Sequence, residues 1–98
     1  MIISFKNKHL ENFYDNDVTG KKIPSGIEDS LFEALQMIDA AVNVQDLRSP
    51  PGNRLKLLKG HLEGQYAIRV NNKYRLIFTW NDALEGAENV YLDPHSYK

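Results

Sequence analysis

The strongest constraint on this chain is a pair of alternating apolar runs separated by a short polar gap. In the stretch GQYAIRVNNKYRLIFTW, residues 64–80, Tyr66, Ile68 and Val70 alternate with other residues, and so do Tyr74, Leu76, Phe78 and Trp80. A period of two is the signature of a strand with one buried face. Two such runs this close together form an antiparallel hairpin, and paired residues in a hairpin share a face. The two apolar sets reach one face only when the numbers of paired residues sum to an even value. The shortest such register pairs Val70 with Tyr74 and leaves Asn71, Asn72 and Lys73 as the loop. A one-residue slip would turn one apolar set outward, so the pattern decides the register. Three-residue loops of this kind commonly use a left-handed residue, which asparagine tolerates.

This register sets Arg69 directly opposite Arg75 on the face away from the apolar residues. Like charges so placed destabilise a sheet by about 0.2–1 kcal/mol unless an anion neutralises them. Two sources are open: a carboxylate from the acidic helices of the same chain, or the phosphate of a ligand, which paired guanidinium forks suit.

The rest of the chain is read around this hairpin. Residues 2–5 form a short apolar initiating strand, and Leu10, Phe13 and Tyr14 mark a short helix over residues 8–14. Ser25 followed by Glu28 matches a capping box opening a second helix. Ile27, Leu31, Leu35, Ile38 and Val42 form its apolar stripe, and its acids lie on a solvated face. Pro50-Pro51-Gly52 lies in a connector over residues 43–53 and excludes regular structure there. From Arg54 the alternation begins, with Arg54 and Lys56 on one side, while the break at Leu57-Leu58 leaves the side of Lys59 open. Residues 90–92 read as a last strand. The order of strand, two helices and an antiparallel run predicts one α+β domain over residues 1–98, with two layers.

Composition enters through charge. The net charge is −1, yet residues 48–81 hold seven basic residues (Arg48, Arg54, Lys56, Lys59, Arg69, Lys73 and Arg75) against one acid, Glu63. That segment is +6 and the remainder −7, an asymmetry that points to an anionic partner or to acidic helices packed on basic strands. The chain has no cysteine, which excludes disulfides and thiolate metal sites. The three histidines show no metal-ligand spacing. No apolar run is long enough for a signal-peptide core or a membrane span, so the expected location is the cytoplasm. Phe78, Trp80, Tyr66 and Tyr74 occupy core positions of the alternation and read as packing residues.

Residues 48–80, RSPPGNRLKLLKGHLEGQYAIRVNNKYRLIFTW, resemble the HigB branch of the RelE/ParE toxin superfamily. The N-terminal MIISF, the Leu58-Lys59-Gly60 triplet, the Ile68-Arg69-Val70-Asn71 run and Tyr74-Arg75 carry the resemblance, which spans essentially the whole chain. It implies a RelE-like two-layer fold, two N-terminal helices packed on a mainly antiparallel sheet of about four to five strands. It also implies a toxin of a type II toxin-antitoxin system that cleaves mRNA on the ribosome, without a metal ion or other cofactor. The implied partners are a HigA-like helix-turn-helix antitoxin from an adjacent gene, the ribosome and mRNA, with operator DNA reached only through the antitoxin. In the implied reaction a ribose 2′-hydroxyl attacks the adjacent phosphate. Matching the motifs, Lys59, Arg69 and Arg75 supply cations for the phosphorane, and His95 moves a proton. Arg48, Arg54, Lys56, Lys73 and Tyr97 are the further candidates for contact with RNA or the ribosome.

The tail departs from the family pattern. It reads Asp93-Pro94-His95, with proline where the family has tyrosine, followed by Ser96-Tyr97-Lys98. Tyr97 could replace the missing phenol; aligned from the C-terminus instead, Tyr97 and Lys98 would take the tyrosine and histidine positions. The Asp93–His95 alignment keeps the last strand in register and is preferred. Two other functions stay open on the same fold: an antitoxin-binding co-regulator of transcription with weak or no catalysis, and a ParE-like gyrase inhibitor.

Overall fold

The computed structural model describes residues 1–95. Helices α1 (Lys8–Asn16) and α2 (Glu28–Ala40) precede strands β1 (Lys56–Leu57), β2 (Tyr66–Arg69), β3 (Tyr74–Asn81) and β4 (Gly86–Pro94). The four strands follow one another in sheet order and pair antiparallel throughout. The N-terminal residues add a parallel edge along β4 through bridges of Ile2 to Ala87 and Phe5 to Val90. This is the α+β arrangement the alternation and the helical stripe predict.

The helices cover one face of the sheet. Leu10 and Phe13 of α1 and Leu31, Leu35 and Ile38 of α2 are buried against Ile68, Leu76, Phe78, Ala87 and Val90. Tyr66, Tyr74 and Trp80 pack at the margin of the same core, as the alternation requires. The hairpin register is the one the apolar pattern imposes: Tyr66 pairs with Phe78, Ile68 with Leu76, and Arg69 with Arg75.

The loop closes differently from the expectation. None of Asn71, Asn72 and Lys73 has a positive φ. Instead the Asn71 side chain accepts from the backbone N–H of Lys73 at 2.8 Å and of Tyr74 at 2.9 Å. A side-chain oxygen thus replaces the left-handed residue as the device that reverses the chain.

Other expectations are corrected. Ser25 does not cap α2: Gly26, at φ +88°, turns the chain, and the Glu28 carboxylate accepts from the Gly26 N–H at 2.8 Å. A capping box does form further on, where Asn43 and Asp46 close the 3-10 helix Val44–Arg48. Because α2 stops at Ala40 and Ala41 is extended, Val42 leaves the helical stripe and is 62% exposed. Proline does not exclude regular structure in the connector, since Pro51–Asn53 forms a 3-10 turn with proline at its permitted first positions.

Arg54 does not belong to the alternating strand. Continuing the Lys56–Ala67 register would set it opposite Arg69, but it adopts φ 49° and ends the turn. Buried Asn53 explains this, because its Nδ2 donates to the carbonyls of Leu47 at 3.1 Å and Ser49 at 3.4 Å and ties the turn down. The ladder can begin only after it. Among the described residues no helix is long and apolar enough to cross a membrane.

Candidate active site

The face of the sheet away from the helices carries the arginine row. Strand alternation places Arg69 and Arg75 opposite each other there. The row continues: Arg75 pairs with Asp93 of β4, and Arg75 Nε donates to Asp93 Oδ2 at 2.9 Å. This anion is neither of the sources weighed from the sequence. It comes from the last strand, 18 residues on, and not from an acidic helix. The bond is partly buried, with the two side chains 16% and 29% exposed. It uses only Nε, so among the described residues the two terminal amino groups of Arg75 remain for an anionic oxygen. Arg69 donates from Nη2 to Asn72 Oδ1 in the adjoining loop.

His95 follows Asp93 by two residues, and its backbone N–H donates to the Lys73 carbonyl. The strand therefore continues the register past Pro94, which pairs with Tyr74. Lys73 and His95 form the row beyond the arginine pair, with His95 partly buried and Lys73 exposed.

The arginine face is not bare. Ala67 and Ile77, which share the face of the arginines, are buried beneath Leu58 in a second, smaller core, with Leu62 and Tyr91 packed against it. The segment after β1 folds over the sheet and closes this core. The 3-10 turn Gly60–Leu62 brings Leu62 down, and Lys59, its N-cap residue, stays exposed beside it. The apolar patch stiffens the strands that present the arginines.

Two neighbours were not singled out from the sequence. Tyr91 pairs with Ile77 in the row of the small core, next to the Arg75–Asp93 row, and burial, followed by the Asp93 carboxylate, pushes its phenol above the ordinary tyrosine value while Arg75 opposes the shift. Lys6 stands with its Nζ 4.4 Å from the centre of the Tyr91 ring. The signal for Asp93 and Tyr91 was present in the alternation: once Val90 and Leu92 face the core, Tyr91 and Asp93 must face the arginines. Lys6 left no such trace, because the parallel bridge that positions it depends on a partner 85 residues away.

Of the candidates, Arg69, Arg75, Lys73 and His95 fall in two adjacent rows, and Lys56, paired with Ala67, lies on the same face. Lys59 caps the turn that covers the small core. Arg48 ends the 3-10 helix Val44–Arg48, bonded to Gln45, and Arg54 ends the following turn, so these two stand off the strands. Tyr97 lies outside the described residues. Among the described residues no group of three or more histidine, aspartate or glutamate side chains is arranged to hold a metal ion.

The profile of the HigB-like toxins, described as RelE-like toxins of the type II toxin-antitoxin system HigB, matches residues 3–95. Toxin HigB-1 of Vibrio cholerae serotype O1 is 53% identical over 97 residues, covering 99% of this chain and 100% of that protein. An uncharacterized protein of Haemophilus influenzae Rd is 45% identical over 95% of this chain and 90% of its own length. Endoribonuclease HigB of Proteus vulgaris is 35% identical over 80% of this chain and 83% of its own length.

Proposed function

Because this chain belongs to the HigB-like toxins, the RelE-like toxins of type II toxin-antitoxin systems, we propose that it is an endoribonuclease that cleaves mRNA on the ribosome. The observation that carries this reading is the row Arg69–Arg75–Asp93 with His95 beside it. Opposed guanidinium groups on a rigid sheet form a site for a dianionic phosphorane, and the Asp93 bond fixes the plane of one fork before substrate arrives.

In the proposed reaction the ribose 2′-hydroxyl gives up its proton to a solvent water and attacks the adjacent phosphorus, and His95 regains from solvent the proton it later delivers. Arg69 and Arg75 hold the equatorial oxygens as negative charge develops, and Lys59 supports them from the covering turn. The bond to the 5′-oxygen breaks, and that oxygen takes a proton from His95. The products are a 2′,3′-cyclic phosphate and a free 5′-hydroxyl. The RNA itself supplies the nucleophile, so the scheme needs no metal ion. Imidazole titrates near neutral pH and suits the proton transfer.

Lys56, Lys73, Arg48 and Arg54 extend the positive surface for RNA or ribosome backbone, a role that needs charge more than precise placement. The protein would act in the cytoplasm and be neutralised by a helix-turn-helix antitoxin encoded beside it, with operator DNA reached through that antitoxin. Expression without the neighbouring gene, followed by mapping of 5′-hydroxyl mRNA ends, tests the reading. New ends inside coding sequences support it; a DNA-damage response without new ends would overturn it.

A further inference from the structure

The helical layer, on the opposite side of the sheet from the arginine row, carries a feature the catalytic reading does not use. Between α1 and α2 runs an open groove of about 850 Å³. Its floor is aromatic: the Phe32 ring lies 5.4 Å from that of Tyr14 and 6.3 Å from that of Phe13. Phe32 is a large apolar side chain on the α2 surface and is nevertheless 39% exposed. Its ring faces the groove.

The rim is uniformly acidic. Asp15 and Asp17 stand on the α1 side and Glu28, Asp29 and Glu33 on the α2 side, and among the described residues no lysine, arginine or histidine lines the groove. An aromatic floor inside a ring of carboxylates disfavours RNA, whose phosphates the rim would repel. It favours a polypeptide that brings cations to the rim and one apolar side chain to the floor.

We propose that this groove is the docking surface for the antitoxin, which inserts an apolar side chain against Phe32 and sets lysines or arginines against the rim. The proposal rests on membership in a toxin-antitoxin family and deepens it by placing the partner's surface. The charge separation of the chain then has a structural meaning: the basic strands face nucleic acid and the acidic helices face protein. A central aromatic anchor supplies most of the binding energy in such an interface, and rim charges mainly set the association rate and its salt dependence.

The test uses the full-length toxin and the protein encoded by the neighbouring open reading frame, titrated by calorimetry. Phe32→Ala should weaken binding by about tenfold or more. The double variant Asp29→Lys, Glu33→Lys should slow association and flatten its salt dependence. Both variants should melt as the parent does and, freed of antitoxin, still generate 5′-hydroxyl mRNA ends. Arg75→Ala should bind the antitoxin with unchanged affinity, which separates a failed docking surface from a failed nuclease site. Unchanged binding by both groove variants would overturn the proposal, as would failure of the wild-type toxin to bind the neighbouring protein. So would a toxin that self-associates when alone and loses that association in Phe32→Ala, since the groove would then serve a second copy of the chain.

Discussion

Arg75 Nε donates to Asp93 Oδ2 at 2.9 Å, so the guanidinium that stands opposite Arg69 is held from its other side by a carboxylate of the next strand. Among the described residues Asp93 is the carboxylate bonded into the row, and it gives the Arg75 fork a defined orientation. The arrangement accounts for how two like charges are tolerated across a hairpin in the free protein. Among the described residues it also leaves the two terminal amino groups of Arg75 for a phosphate oxygen.

Asp93→Ala should therefore act on both stability and catalysis. Loss of a charge-assisted bond between partly buried groups costs about 1–3 kcal/mol, read by urea unfolding. In the Arg75→Ala background the same change should cost clearly less, because the two residues share one interaction. Cleavage should fall in Asp93→Ala even under conditions where the variant is fully folded.

Ile77→Ala should destabilise the protein by about 2–5 kcal/mol, as expected for truncating a fully buried branched side chain. Ile77 has no exposed surface and lies under Leu58 and Leu62 on the arginine face. A surface-like loss, indistinguishable from an exposed substitution in urea titration, would mean that no second core exists there.

Gly86→Ala should cost about 1–3 kcal/mol through overpacking. A Cβ at this position would lie 2.7 Å from Cγ1 of Ile3 and 2.8 Å from the Met1 carbonyl oxygen, where the N-terminal segment runs alongside β4. Ile3→Ala should restore only part of the loss, because the Met1 contact is with backbone. Thermal melts of the two single variants and the double variant measure this.

Tyr14 links α1 to α2 through a 2.8 Å hydrogen bond from its hydroxyl to Asp39 Oδ2. Burial first, and then this bond and the Asp39 charge, push its phenol from 10.0 up to about 12. The folded protein holds that proton more tightly than the unfolded chain does. The contribution is complete below pH 10.0 and is lost as pH rises toward about 12. Urea unfolding across that range should show a steeper alkaline loss in the wild type than in Tyr14→Phe.

Much of this architecture was legible in the residue order, for a definite reason. Strand period and hairpin closure are local, so the alternation of Ile68, Val70, Tyr74 and Leu76 was enough to pair Arg69 with Arg75. The features that escaped depend on residues distant in sequence. Asp93 reaches Arg75 only after β4 pairs, and a bulge near Asn89, at φ 54°, resets the register so that both Ala87 and Val90 face the core. Burial of Ala67 and Ile77 required Leu58 and Leu62 to fold back over the sheet. The serine-to-glutamate spacing at Ser25 and Glu28 misled because Gly26 offered a competing turn whose N–H the same glutamate could accept.

On the proposed reading the arginine row performs the cleavage. Its most direct test is single-turnover cleavage of a defined mRNA on programmed ribosomes by purified Arg69→Ala and Arg75→Ala proteins that melt as the wild type does. Each should lose about a hundredfold or more in rate, the scale for removing one positioned donor to a developing charge, with the 5′-hydroxyl product unchanged in position. Cleavage at the wild-type rate by either folded variant would mean that the arginine row is not the site of the reaction.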